Sequence, residues 1–265
     1  MLHTYKTFRE GFPLSHSANI LSIKIVASDY GYPLNVYGTV IARDDLDRRS
    51  VYLFQRGEDN RQRITSEDNS LILTGPKRGL MLCGYLFFEI NLKVKDVHGR
   101  EVKDERLSKG MPDINGITRQ TSNFEYGVET GTLVSMHSTL EMNFAFVRDA
   151  VEGSVEIRIL EVEGHVDFHG KIIATTGRVP CEIVLHDSRV NGLLTAGDDQ
   201  VMQTGRRVVC LSVGEMLLVT VAAEGGDELS HYIVRFASKL NGYAAENMVC
   251  GNYKMQVKVT WSIMM

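Results

Sequence analysis

Apolar and polar residues alternate with a period of two along most of this chain, the spacing of half-buried strands rather than helices. The clearest run is Phe88-Glu89-Ile90-Asn91-Leu92-Lys93-Val94-Lys95. Phe88, Ile90, Leu92 and Val94 form one apolar face, and Glu89, Asn91, Lys93 and Lys95 the polar one. Residues 23–26, 34–42, 51–54, 71–73, 140–146, 155–159, 183–185, 216–221 and 255–261 predict further strands. Thr74-Gly75-Pro76-Lys77 marks a turn, because proline cannot donate to a ladder. No segment sustains a helical period over twelve residues, and residues 237–248 are the best helical candidate. Residues 96–135 break the pattern: they are polar, charged and glycine-rich, and predict a long irregular connection with one or two short strands.

The alternation repeats itself. Residues 22–55 lie on residues 154–187 without a gap, matching Ser22 with Ser154, Gly38 with Gly170, Ile41 with Ile173, Ala42 with Ala174 and Leu53 with Leu185. The expectation is an all-β protein of two tandem, related β-sandwich-like domains from an internal duplication, with little helix. Residues 1–19 form an N-terminal extension lying over the first domain. Residues 20–148 form that first β domain, with the irregular 96–135 segment inside it, and residues 152–265 form the second.

Composition narrows the function classes. A length of 265 residues suits two domains of ~100–150 residues each. A net charge of −4 argues against a dedicated nucleic-acid binder, which carries a basic field. Cys83, Cys181, Cys210 and Cys250 form no CxxC pair, which points to free thiols in a reducing compartment, the cytoplasm or nucleus. The polar first 19 residues lack the form of a secretory signal. No apolar run reaches the ~18 residues of a membrane helix.

Candidate chemistry is sparse. In a strand, His165, Asp167 and His169 would project from one face while Val166 and Phe168 enter the core, and two imidazoles with a carboxylate suit a transition metal. Asp44, Asp45 and Asp47 are a second metal candidate, since loops rich in carboxylates at the end of a sandwich hold Ca²⁺ in C2-type membrane binders. Arg43, Arg48, Arg49, Arg56, Arg61, Arg63, Lys77 and Arg78, near Tyr37, Tyr52 and Phe54, could face RNA, but interleaved acids cancel most of that charge. No nucleophile-elbow, zincin, dinucleotide or phosphate-loop motif occurs. Trp261 is the single tryptophan and is expected to plug the second core.

The stretch Pro33-Leu34-Asn35-Val36-Tyr37-Gly38-Thr39-Val40-Ile41-Ala42-Arg43-Asp44 carries a resemblance. So do Phe54-Gln55-Arg56, the 71–76 turn, the 88–95 strand and residues 255–262. Together they resemble a cereal-grass domain family of unknown function, found alone or fused behind ribosome-inactivating N-glycosidase domains, as in jasmonate-induced proteins. The resemblance covers roughly residues 20–262. It implies a plant stress or defence context and a β-rich accessory module, with no catalytic residues to carry over. The Glu-Ala-x-x-Arg signature of the fused enzyme is absent, so depurination of rRNA is not expected. The leading expectation is a non-enzymatic binding module with a protein partner, no cofactor, and residues 96–135 as its contact segment. A metal-dependent enzyme built on His165, Asp167 and His169, and a ribosome- or RNA-associated accessory protein, remain open beside it.

Overall fold

The computed structural model describes residues 13–264 except 48, 98–99, 103–104, 122–126, 163–166, 180, 198 and 226–227. Period-two chains must satisfy their backbone N–H and C=O groups between strands, and here they do so in antiparallel sheets. The chain divides into an N-terminal unit, Ala18–Phe146, and a C-terminal unit from Val147 onward that also takes in the described residues up to Ser17.

The N-terminal unit runs through β1 (Ser17–Ser28), β2 (Leu34–Arg43), β3 (Val51–Arg56), β4 (Gln62–Ile64), β5 (Tyr85–Val97), β6 (Arg100–Glu101), β7 (Arg106–Gly110) and β8 (Asp113–Asn115). The helical turn α1 (Gly116–Thr121), β9 (Val128–Ser135) and β10 (Ser138–Val147) follow. β5 anchors a seven-stranded sheet, with β2 on one side and β6, β7 and β8 on the other; β2 in turn carries β3 and β4. β1, β10 and β9 form a second sheet in that order. The alternation explains the sandwich: Ile20, Ile23 and Ile25 of β1 and Leu140, Met142 and Phe144 of β10 share one buried core with Val36, Val40, Phe88, Ile90 and Leu92.

The C-terminal unit contains β11 (Ala150–Val162), β12 (Gly170–Thr176), β13 (Ile183–Asp187), the helical turn α2 (Ser188–Asn191), β14 (Val208–Ser212), β15 (Met216–Gly225), β16 (Glu228–Ala237), β17 (Gly242–Cys250) and β18 (Tyr253–Ile263). Two four-stranded sheets result, in the orders β14-β11-β18-β17 and β13-β12-β15-β16. The Cys250 thiol, on the first sheet, donates to the Val221 and Ser230 carbonyls of the second. Trp261 is buried in β18, as expected, and packs where Gly153 of β11 leaves room: a Cβ at Gly153 would stand 2.8 Å from the indole.

Three expectations are corrected. Residues 96–135 are not a long irregular connection, because they supply β7, β8, β9 and α1. These strands leave little trace in the sequence because they are short or lie at a sheet margin: β9 is partly or fully exposed at every position and carries no apolar alternation. The 237–248 segment is not helical. Its Ala244-Ala245-Glu246-Asn247 run favours helix in isolation, but from Gly242 it pairs with β18, and tertiary pairing overrides propensity. Residues 13–17 group with the C-terminal unit and not the first: the Ala150 amide donates to the Ser15 carbonyl, and the Asp149 amide to His16 Nδ1. Among the described residues no helix is long and apolar enough to cross a membrane.

Candidate functional site

A cleft of about 370 Å³ opens in the N-terminal unit between β8–α1 on one side and β9 on the other. Its position follows from local sequence. Pro112 cannot donate to a ladder, but its carbonyl accepts from the Phe88 amide, which ties the start of β8 to β5. Asn115 then turns the chain, its Oδ1 accepting from the Ile117 amide at 2.9 Å. Gly116 lets the turn approach closely: a Cβ there would meet Leu82 and the Gly84 carbonyl within 3 Å.

The floor is apolar, built from Ile114, Leu133, Leu140, Met142 and Phe144. The rim is polar. Arg119 of α1 reaches across to Glu129 of β9 through two hydrogen bonds, Nε to Oε1 at 3.0 Å and Nη2 to Oε2, and its guanidinium lies 5.6 Å from the Phe144 ring centroid. Both members of that pair are partly shielded from water, which strengthens a bidentate contact. Asp113 stands exposed on the rim. Gly131 adds no side chain, and a Cβ at that position would meet nothing nearer than 3.9 Å. The arrangement offers shape, one apolar floor and a few fixed polar groups, which can seat an apolar side chain and orient its neighbours. Sequence spacing hides the Arg119–Glu129 bond, because residues ten apart meet only after α1 and β9 are placed. The floor was more legible, since the alternation of 140–146 already marked Leu140, Met142 and Phe144 as one face.

The other candidate residues have local partners. Arg78 is buried and bonds both Asp44 oxygens, at 2.6 and 2.7 Å, and Asp47 Oδ1 at 2.8 Å. Burial works against the Arg78 charge, but the two carboxylates outweigh it and hold the guanidinium above its usual value. Asp44 also accepts from the Met81 amide, and Asp45 from the Gly84 amide. These three aspartates therefore bind an arginine and backbone amides. Of the basic cluster, Arg43 is bonded to Glu89 and Arg78 is interior.

His165 lies outside the described residues. Asp167 and His169 flank Phe168, which among the described residues is held by an isolated bridge to Leu194 and not by a regular strand. The Asp167 carbonyl accepts from the Tyr253 hydroxyl, and His169 Nδ1 stands 3.2 Å from Glu224, which also bonds Arg189. Among the described residues no three His, Cys, Asp or Glu side chains gather to hold a metal ion.

A family model described as a domain of unknown function (DUF6598) matches residues 17–259. No curated protein matches the chain. Solved structures similar to it include human GIVD cytosolic phospholipase A2, at 6% identity and a TM-score of 0.28, covering 96% of this chain and 31% of that one. Another is a multidomain structure of Extended-Synaptotagmin 2, at 10% identity and a TM-score of 0.28, covering 98% of this chain and 59% of that one. The chain thus spans less than two thirds of either, and similarity at these TM-scores supports no conclusion about fold or activity.

Proposed function

We propose that this chain, which belongs to that family of domains of unknown function, is a non-enzymatic binding module that holds a protein partner in the cleft between β8–α1 and β9. The observation that carries the proposal is the cleft itself: an apolar floor, a fixed Arg119–Glu129 rim, and open space over Gly131. Protein contacts use such a combination, with an apolar pocket for an anchor side chain and a polar margin that fixes orientation. The resemblance to cereal-grass proteins adds a stress or defence setting, and the four free thiols suit a reducing compartment. Descent of both units from one duplicated ancestor is a companion proposal, supported by the register of identical residues between 22–55 and 154–187.

The test is partner capture from leaf extract on the intact protein and on Gly131→Phe, which places a bulky side chain where a Cβ meets nothing nearer than 3.9 Å. Proteins held by the first and lost by the second are then purified and their binding measured by calorimetry. A partner set unchanged by Gly131→Phe, with the variant's melting temperature equal to that of the intact protein, rejects the cleft as the site.

A further inference from the structure

We infer that the partner enters as an extended polypeptide segment that adds a strand to the open edge of β9, with an apolar side chain in the cleft and a lysine or arginine beside Asp113. This rests on the protein-binding reading of the cleft and specifies its mode.

Among the described residues β9 ends its sheet and pairs with β10 alone. Its register is set by the two-residue turn Met136–His137, in which Met136 has φ 53 and Ser135 faces Ser138. A turn that short makes its flanking residues a hydrogen-bonded pair. By alternation Leu133, Gly131 and Glu129 also bond β10, and Val134, Thr132 and Thr130 turn their N–H and C=O groups away from it. Thr130 and Thr132 line the cleft. An unpaired backbone edge and an apolar pocket therefore meet at the same place.

This edge lacks the usual protections. Natural sheet margins carry lysine, proline or bulges that discourage pairing. Here the outward side chains are Val128, Thr130, Thr132 and Val134, all β-branched and uncharged, and Val134 is 77% exposed. The one charge in β9, Glu129, is bound to Arg119. At the far end Ser135 Oγ bonds both the Lys109 amide and the Lys109 carbonyl, so the margin is closed there. Strand addition gives affinity through main-chain bonds and specificity through pockets for alternate side chains, which is what this juxtaposition provides. Charge selects further. Among the described residues Asp113 has no ion-pair partner, whereas Glu129 is balanced by Arg119, so the rim carries net negative charge and favours a cation beside the anchor.

The probe is a fluorescent heptapeptide of alternating threonine and valine about a central leucine, with a lysine at each end, titrated against the full chain. Two further versions carry N-methyl groups on alternate amides, one on each set. Saturable binding is expected, weakened about tenfold or more by one N-methyl set and not by the other, since only one set faces β9. Thr132→Pro, which removes an edge N–H that β10 does not use, produces a similar loss, and Thr132→Val does not. Asp113→Asn weakens binding and flattens its salt dependence. If both N-methyl versions bind like the parent while Gly131→Phe still blocks them, strand addition is wrong and the cleft survives as the site. If Gly131→Phe does not block the probe, or the parent peptide does not bind, the inference falls. A concentration-dependent dimer abolished by Thr132→Pro would put a second copy of the chain on β9 and overturn the separate partner.

Discussion

The two units solve the same backbone problem and then diverge at their margins. In each, the second strand holds a glycine with positive φ: Gly38 at +117° and Gly170 at +158°. A Cβ at Gly38 would stand 2.2 Å from the Asn91 carbonyl oxygen, and one at Gly170 2.0 Å from that of Ala222. Each is followed by a register break, between Val40 and Ile41 in one unit and Ile172 and Ile173 in the other. The margins differ. In the C-terminal unit β16 leads directly into β17, and the Cys250 thiol ties their two sheets together. In the N-terminal unit residues 106–135 are interposed, and β8, α1 and β9 leave a cleft. The buried arginines differ too. Two carboxylates raise Arg78, while burial pulls Arg206 down to about 10. This likeness in backbone thus tells little about function, which belongs to sites and not to scaffolds.

Substitutions can probe this likeness at several points. The largest effect is expected at the Arg78 cluster. Asp44→Ala leaves a buried guanidinium short of its main partner and should cost about 3–5 kcal/mol in urea unfolding, with hydrogen exchange rising in the N-terminal unit. A cost under about 1 kcal/mol would show that Asp47 alone suffices.

Trp261→Ala should cost a similar ~3–5 kcal/mol, localised to the C-terminal unit by the same exchange measurement. Gly153→Val, which drives a side chain into the indole, should cost about 1–3 kcal/mol.

Gly38→Ala and Gly170→Ala address the feature the units share. Each combines a positive φ with a carbonyl in the path of the new methyl, and each should lose about 1–3 kcal/mol in thermal melts. Tolerance of one but not the other would separate the two positions structurally.

The smallest effect is a pH dependence carried by two histidines of the C-terminal unit. Burial lowers the pKa of His16 and of His186 from the ordinary histidine value of 6.5, with nearby Asp149 and Asp187 opposing it in part. A lowered folded pKa means that the unfolded chain takes up the proton first. The stabilisation is therefore complete above pH 6.5 and is lost as pH falls from there through the folded values. Urea midpoints measured across that window should fall for the intact protein and flatten for His186→Gln. An unchanged slope in the variant would assign the acid sensitivity elsewhere.

Much of the scaffold was legible in the chain. Period two over 88–95, 140–146 and 255–261 is enough to name strands, their buried faces and the interior place of Trp261, because burial on one side of a sheet imposes that period directly. β9 and β17 were illegible for the opposite reason: exposed on both faces or on most positions, they lack a buried side to write the pattern. The candidate metal residues show a further gap. Asp44, Asp45 and Asp47 cluster in sequence, but their oxygens are taken by Arg78, Met81 and Gly84, more than thirty residues away. Local spacing cannot register such partners.

Residue types along the chain were sufficient for the all-β class, the alternating cores and the glycines at 38 and 170, since each depends on burial or backbone sterics that a residue expresses locally. Only the folded arrangement makes strands within residues 106–135, brings Arg119 to Glu129, and sets β9 beside an apolar cleft. These arise from contacts between segments distant along the chain, where the free energy lies in the pairing and not in either partner.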